Sequence, residues 1–223
     1  MAILAILDHR HAPVLLAVVL TTAAGCGTAG GEQRVPIVQP GAPGQPGRVI
    51  TIEQATDQSH VQHTDADVRF MQGMIGHHAQ ALEMTELLRT RTASEEMRSV
   101  GLRIEVSQAD EIKLMQDWLR ARGASLPDPH AHHHGGTLMP GMLTAEEMAR
   151  LAAARGPGFD LLFLEFMIKH HEGALVMVED LFASPGAGQE AEIFAFASDV
   201  DADQRMEIER MAAMLAKLKE LQK

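Results

Sequence analysis

Two pairs of adjacent histidines are the residues of this sequence that could do chemistry. His77 and His78 lie in the segment DVRFMQGMIGHHAQALEM, and His170 and His171 lie in the segment DLLFLEFMIKHHEGALVM. Imidazole is the side chain that most often ligates metals, and the methionine thioether is a soft donor that favours Cu(I). Each segment carries methionines about one helical turn from its histidines, so the pattern indicates a site for a soft metal.

A second His-rich stretch, HAHHHGGTLMPGM, occupies residues 130–142. Short His-rich tracts are a composition that binds metals, although a solvated loop without a function is an equal alternative. If the stretch binds metal, it adds an auxiliary set of ligands: His130, His132, His133 and His134.

The two histidine segments are copies of one another. An offset of 93 residues (170 − 77) aligns the histidine pairs and the Phe, Met, Ile, Ala and Leu residues around them. A second match, QADEIKLM at 108–115 against QRMEIERM at 204–211, has an offset of 96 residues (204 − 108). The three extra residues fit the loop ASPGAGQ. The repeating unit is therefore a helical hairpin that is present twice.

Start and stop signals delimit these helices. Thr64 or Asp65 can cap the first helix and Ser94 the second, while TAEE at 144–147 has the spacing of a capping box. Two hairpins with apolar stripes most simply bury them against each other. The sequence thus predicts an all-α protein with a four-helix bundle in residues 61–223. Its parts are repeat one (64–122), a His-rich linker (123–143), a short connecting helix (144–155) and repeat two (157–222).

Helical geometry separates the two histidines of each pair. One stripe of the first helix contains five residues spread over about 80°: Asp67, Met71, Met74, His78 and Ala81. His77 lies on the flank of this stripe with Met84, because adjacent residues do not share a helix face. One ring of each pair should point inward, and the other towards a neighbouring helix or the solvent. The two histidine helices could be adjacent or diagonally opposed.

Two aspartates accompany the histidines at matching places. Asp67 and Asp160 could fix a histidine tautomer as hydrogen-bond partners. They could equally be N-terminal residues that the helix dipole favours, and we favour this interpretation for Asp160.

The N-terminus has the pattern of a secretory signal. A charged segment, the apolar run VLLAVVL and the small residues TTAAGC follow one another, which predicts a signal peptide over residues 1–25 and export across the cytoplasmic membrane. AAGC resembles a bacterial lipobox, which implies that Cys26 is lipidated and anchors the chain at the cell envelope. An ordinary signal peptide with an incidental cysteine is the alternative. Residues 26–60 are rich in Gly and Pro and predict a tether.

Composition excludes several classes of function. The formal net charge is -11 without a basic block, which argues against a nucleic-acid partner because phosphate contacts need clustered Lys and Arg. No Ser-His-Asp spacing, phosphate loop or dinucleotide fingerprint occurs. Di-iron oxidases of the bundle type use Glu-x-x-His motifs, and no Glu precedes any His by three residues. Glu111 and Glu207 recur at matching places, but they fit the charged pattern of solvated helix faces.

The paired segments resemble a known family. FMQGMIGHHAQALEM and FLEFMIKHHEGALVM are similar to the two signature helices of the family catalogued as domain of unknown function 305, and the resemblance covers about residues 65–221. It implies a ferritin-like bundle, often secreted or lipid-anchored, and a link in some members to copper binding through Met and His. The leading ligands that it implies are Met74, His77, His78, Met167, His170 and His171. Met71, Met84 and Met177 follow them.

Three hypotheses for the function result. The leading one is an extracytoplasmic protein, not an enzyme, that sequesters or transfers copper through Met and His ligands, with Cu(I) favoured and Cu(II) also accommodated. The alternative is an envelope-anchored structural or interaction module without metal, and a ferritin-like di-iron oxidase is the least favoured. The partners in the leading hypothesis are the metal ion and, through the lipid, the membrane, and the chain could form oligomers.

Overall fold

The computed structural model describes residues 35–39, 46–57, 61–127 and 138–221. Two short strands come first, β1 (Ile37–Gln39) and β2 (Arg48–Ile50), followed by the short helix α1 (Ile52–Thr56). The remaining elements are α2 (Asp65–Arg91), α3 (Glu95–Ala121), α4 (Ala145–Ala153), α5 (Gly156–Ala183) and α6 (Ala191–Leu221). The predicted signal peptide, Cys26 and the His-rich residues 130–134 lie outside the described residues.

The chain divides into two compact units, residues 1–56 and 57–223. In the first unit β1 and β2 pair antiparallel, with Val38 opposite Val49. The segment predicted as a tether, residues 26–60, thus contains two short strands and α1 among its described residues. Isolated pairs of such short strands are only marginally stable in water.

Capping residues begin the helices of the second unit where the sequence places them. Thr64 accepts a hydrogen bond from the backbone of Asp67, whose carboxylate accepts one from the Thr64 backbone in return, and Ser94 caps α3. Thr144 forms a capping box at the start of α4, and Pro157 occupies the first turn of α5. These contacts satisfy backbone N–H groups that have no partner inside a helix.

The second unit is an all-α bundle, as predicted. α2 pairs with α3 and α5 pairs with α6, so each sequence repeat is a helical hairpin. α2 also packs against α5, which places the two histidine helices next to each other. Among the described residues, no helix combines the length and apolarity that crossing a membrane would require.

The interior of the bundle contains two apolar clusters. Leu88 near the end of α2 shares the first cluster with Phe163 near the start of α5. Phe70 near the start of α2 shares the second with Val178 near the end of α5. The two helices therefore run antiparallel, and equivalent residues of the two repeats meet near their middles.

Buried polar side chains from α2, α3, α5 and α6 separate the two clusters. The predicted inward stripe of α2 is buried, from Asp67 to Ala81, and so is its counterpart in α5, from Asp160 to Ala174. We call the polar residues at the middle of the bundle the polar layer. It contains His77, His78, Gln108, Glu111, His170, His171, Gln204 and Glu207.

A short segment before α4, residues 138–143, crosses the groove between α2 and α5, and we call it the strap. Its turn has a hydrogen bond from the Met142 N–H to the Met139 carbonyl (3.2 Å), and Gly141 adopts a φ of 75°. Gln80 of α2 donates to the Leu143 carbonyl (2.9 Å) and accepts from the Leu143 N–H (2.7 Å). The strap is thus attached to α2 by a side chain that mimics a backbone pairing.

Gly173 of α5 allows the strap to lie this close. A β-carbon on Gly173 would lie 2.0 Å from the Pro140 carbonyl oxygen and 2.5 Å from the Gly141 α-carbon. We expect Gly173→Ala to lower the free energy of unfolding by about 1–3 kcal/mol, because backbone atoms must move to admit the methyl group. Urea unfolding followed by circular dichroism measures this difference.

Gly158→Ala is the matched control, since it lies in the first turns of α5 and a β-carbon there meets no atom within 4 Å. Alanine favours a helix over glycine by up to about 1 kcal/mol, so this variant should be as stable as the parent or more stable. Equal losses in the two variants would contradict the close approach of the strap.

Candidate metal centre

The four repeated histidines lie at the middle of the bundle, and all four side chains are fully buried. The rings of His77 and His170 face each other between α2 and α5, with their centroids 3.8 Å apart and their planes at 38°. The structure therefore brings the flanking histidine of each repeat into one central pair. His78 and His171 instead point away from this pair, as adjacent helical residues must.

His78 and His171 each pair with a glutamate of the second helix of their own hairpin. His78 Nε2 lies 2.5 Å from a carboxylate oxygen of Glu111, and His171 Nε2 lies 2.7 Å from one of Glu207. These glutamate side chains are only 13% and 7% exposed, respectively. The interpretation of Glu111 and Glu207 as residues of solvated helix faces is therefore wrong. Their recurrence at an offset of 96 residues, beside histidines that recur at 93, was the signal that could have identified them.

Hydrogen bonding fixes how three of these rings present their nitrogen atoms. His77 Nε2 donates to the Pro140 carbonyl (3.0 Å), and Nε2 of His78 and of His171 donates to a carboxylate. A neutral imidazole that donates from Nε2 keeps a free lone pair on Nδ1. All three Nδ1 atoms are buried and have no hydrogen-bond partner among the residues that the structure describes.

His170 differs from the other three histidines. Within the described part of the chain neither of its ring nitrogens makes a well-formed hydrogen bond, although the side chain is fully buried and the His77 backbone lies near enough to raise its pKa. Unpartnered buried polar atoms are rare in native proteins, and bound ions or water are their usual explanation. Among the described residues, both amide atoms of Gln108 and the amide oxygen of Gln204 are likewise buried without a hydrogen-bond partner. The polar layer thus contains buried nitrogen and oxygen atoms that are available to a ligand.

Burial keeps the central histidine pair uncharged. Burial, and the positive charge that His78 carries when it is protonated, lower the pKa of His77 to about 3, although the hydrogen bond to Pro140 raises it. Burial and the neighbouring histidines hold the pKa of His170 well below its usual range. Because metal ligation requires the neutral ring, both side chains are in the binding form at neutral pH.

The Glu111 carboxylate connects the polar layer with the side of the bundle between α3 and α6. Burial raises the pKa of Glu111, but the hydrogen bond and the charge of His78 outweigh it, so the pKa lies below its usual range. The Ser107 hydroxyl donates to the other carboxylate oxygen (3.0 Å). Burial and the nearby charges of Glu111 and Glu207 raise the pKa of Asp203. The glutamate side of the layer is therefore anionic.

The two aspartates of the repeats have other partners than the histidines. Asp67 completes the capping box of α2 and accepts a hydrogen bond from the Gly188 N–H (2.7 Å). Asp160 lies near the start of α5, where burial raises its pKa and a hydrogen bond with Thr92 lowers it. These contacts fit the interpretation of Asp67 and Asp160 as residues of helix N-termini. The carboxylate partners of His78 and His171 are instead Glu111 and Glu207.

Most of the predicted thioether ligands line the interior beside the layer. Met74 lies three residues before His77 and is fully buried in the second apolar cluster, while Met167 occupies the equivalent place in the first. Met71 and Met84 are also buried, whereas Met177 is half-buried on the flank of α5. In the portion of the chain that the structure describes, no three His, Cys, Asp or Glu side chains form a group that could hold a metal. A metal centre in the layer would therefore need thioether donors as well as imidazole.

Comparisons with known proteins agree with this fold. The family model of a domain of unknown function, DUF305, matches residues 67–215. A DUF305 fragment from Deinococcus radiodurans is 30% identical, with a TM-score of 0.62 over 70% of this chain and 98% of the other. A DUF305 protein from Streptomyces coelicolor, described as secreted, is 30% identical, with a TM-score of 0.61 over 69% and 94% of the two chains.

A third similar structure is CopM in the Cu(II)-bound form. It is 25% identical, with a TM-score of 0.54 over 68% of this chain and 96% of that protein. A comparison with curated proteins gives no match.

The low pKa of His77 predicts acid sensitivity of the metal-free protein. The unfolded chain takes up a proton near pH 6.5, whereas folded His77 does so only near pH 3. The stability that neutral, buried His77 contributes to the fold is complete above the unfolded pKa and is lost as the pH falls towards 3, on the order of 5 kcal/mol in all. His77→Gln can still donate to Pro140 but cannot titrate, so its free energy of unfolding should fall less steeply between pH 6.5 and 4.5.

Urea unfolding at several pH values measures these slopes. His63→Gln is the control, because that ring is only half-buried, outside the polar layer. If parent and His77→Gln lose stability at the same rate while His63→Gln behaves like the parent, the inference that His77 is buried without charge is wrong.

Proposed function

The chain belongs to the DUF305 family, and we propose that it is an extracytoplasmic protein that binds copper at the polar layer and sequesters it or hands it on. The observation that carries this proposal is the set of buried imidazole nitrogens that have no hydrogen-bond partner among the described residues. Three of them are Nδ1 atoms of rings whose Nε2 already donates to an oxygen acceptor. A purely structural layer would gain from partners for these atoms, since an unsatisfied buried polar group costs about 1–3 kcal/mol.

The glutamates act in this proposal by orienting the rings. In protein metal sites, a ligating histidine usually donates its second ring N–H to a carboxylate or carbonyl, which fixes the tautomer and the ring plane. Glu111 and Glu207 supply the carboxylates for His78 and His171, and the Pro140 carbonyl supplies the acceptor for His77. The ligating atom of each ring would then be Nδ1.

The donor types support copper over harder cations. Imidazole suits several transition metals, but thioether sulfur is a soft ligand that selects Cu(I). Met74 and Met167 lie on the same helix turns as the histidines, and Met71 and Met84 lie beside them in the buried interior. CopM, solved in a Cu(II)-bound form, has the same fold at 25% identity. We therefore propose Cu(I) bound by imidazole and thioether as the principal state, and Cu(II), for which imidazole is also a ligand, as the second state.

Binding without catalysis is the role that these residues fit best. The layer is enclosed between two apolar clusters, so a bound ion would be shielded from solvent and from reactants. The relative from Streptomyces coelicolor that is described as secreted supports a location outside the cytoplasm. Lipidation at Cys26 would keep such a protein at the envelope, where captured copper could be stored or passed to a partner.

His170→Phe tests the proposal most directly. Phenylalanine keeps the ring that stacks on His77 but removes both nitrogens, so the variant should fold with unchanged or higher stability and bind copper at least tenfold more weakly. Competition of the full chain with a chromophoric Cu(I) chelator measures the affinity, and urea unfolding measures the stability.

His63→Phe is the matched control, since His63 stacks edge-on against Trp118 outside the polar layer. It should bind copper like the parent. If the parent does not bind copper at micromolar concentration, or if His170→Phe folds and binds as tightly as the parent, the proposal is wrong and an envelope interaction module becomes the better interpretation.

Two variants of Glu207 test the orienting role of the carboxylates. Glu207→Gln retains an oxygen acceptor for His171 Nε2 and should keep most of the affinity. Glu207→Leu removes the acceptor and should weaken copper binding by about 10–100-fold, the usual effect of losing such a partner. Long-range proton–nitrogen NMR spectra of the imidazoles report the tautomer of His171. Equal affinities in the two variants, with the His171 tautomer unchanged in Glu207→Leu, would contradict the orienting role.

A further inference from the structure

Two glycines on α2 open a groove on the side of the histidine helix that faces the strap and α5. Gly73 and Gly76 are three residues apart and so lie on the same helix face. Glycine destabilises a helix interior relative to alanine, so such positions need a local reason. The equivalent positions of the second repeat, at the offset of 93 residues, hold Phe166 and Lys169. The groove therefore occurs in one repeat only, and the symmetry of the bundle does not explain it.

Methionine side chains occupy the space that the glycines leave. A β-carbon on Gly73 would lie 3.1 Å from the sulfur of Met139 and 3.4 Å from the methyl group of Met177. A β-carbon on Gly76 would lie 3.5 Å from the Met139 methyl group. One methionine of the strap and one of α5 thus converge on α2, and both are half-buried, within reach of solvent.

Contacts of the rest of the strap with α2 and α5 hold Met139 in this position. The next residue, Pro140, accepts the hydrogen bond of His77, and Leu143 is attached to Gln80 by two hydrogen bonds. Gly141 and Gly173 allow the turn to sit in the groove between α2 and α5. The thioether is therefore placed by the fold, unlike that of an exposed methionine such as Met206 on α6.

We propose that Met139 and Met177 bind a soft monovalent cation, of the Cu(I) or Ag(I) class, at the groove formed by Gly73 and Gly76. Thioether sulfur is uncharged and prefers such ions to hard cations. Protons do not compete with the metal for this sulfur, because a thioether is not protonated at ordinary pH. This site is distinct from the polar layer, because its two donors are partly exposed whereas the histidines of the layer are fully buried. It adjoins the layer through the Pro140–His77 hydrogen bond, so an ion held here would lie next to the proposed interior site.

Silver titration of the full chain, labelled with carbon-13 at the methionine methyl groups, tests this site. Ag(I) in chloride-free nitrate buffer avoids redox chemistry. The methyl resonances of Met139 and Met177, assigned from Met139→Leu and Met177→Leu, should shift together and saturate. Each leucine variant keeps a similar shape but loses one sulfur, so the affinity of this site should fall at least tenfold. Met206→Leu is the control and should leave it unchanged.

Gly73→Ala separates a binding role from simple packing. The added methyl group lies 3.1 Å from the Met139 sulfur and 3.4 Å from the Met177 methyl group, so silver affinity should fall at least threefold although both sulfurs remain and alanine favours the helix. The resonances of Met74 and Met167 report the polar layer separately, so this test does not depend on the outcome for copper there. The proposal is overturned if the Met139 and Met177 resonances do not move, or if the leucine variants bind silver at this site as tightly as the parent.

Discussion

A buried layer of imidazole and carboxylate in the middle of an otherwise apolar helical core is the constraint on which this structure depends. Polar groups removed from water must find partners or cost stability. The chain provides three such partners: a glutamate from each hairpin, for His78 and His171, and a strap carbonyl for His77. The position of the strap, the close approach at Gly173 and the pairing of Gln80 with Leu143 all follow from bringing that carbonyl to its histidine.

Duplication of the hairpin explains how one layer arises from two motifs. Because α2 and α5 are antiparallel neighbours, equivalent residues meet at the centre, and His77 stacks on His170. Each repeat also contributes its own His–Glu pair, so both motifs share a single layer between the two apolar clusters. The strap breaks this symmetry, because its Pro140 carbonyl accepts from His77, whereas neither ring nitrogen of His170 makes a well-formed hydrogen bond within the part of the chain that the structure describes.

Sequence periodicity was enough to predict the helices, their caps, the bundle and the buried stripe, because these depend on local spacing and on capping residues such as Thr64 and Ser94. It was not enough for Glu111 and Glu207, whose local surroundings are charged and whose burial depends on the docking of a neighbouring helix. The strap was out of reach for the same reason: its contacts with Gln80 and Gly173 exist only once α2 and α5 are packed together. The burial of these glutamates and the contacts of the strap depend on how the helices pack against each other, and residue spacing along a single helix does not determine that packing.

The buried nitrogens without partners also connect stability with binding. A core that included four imidazoles for packing alone would be more stable with apolar side chains of similar shape, since replacing buried ionisable groups in this way is often neutral or stabilising. A ligand that binds only the folded state adds stability in proportion to the logarithm of its concentration over its dissociation constant. In a layer whose free Nδ1 atoms are oriented by fixed carboxylates, a bound metal would supply the missing partners. The stability that the metal-free fold loses by burying these unpartnered nitrogens would then be recovered when the ion binds.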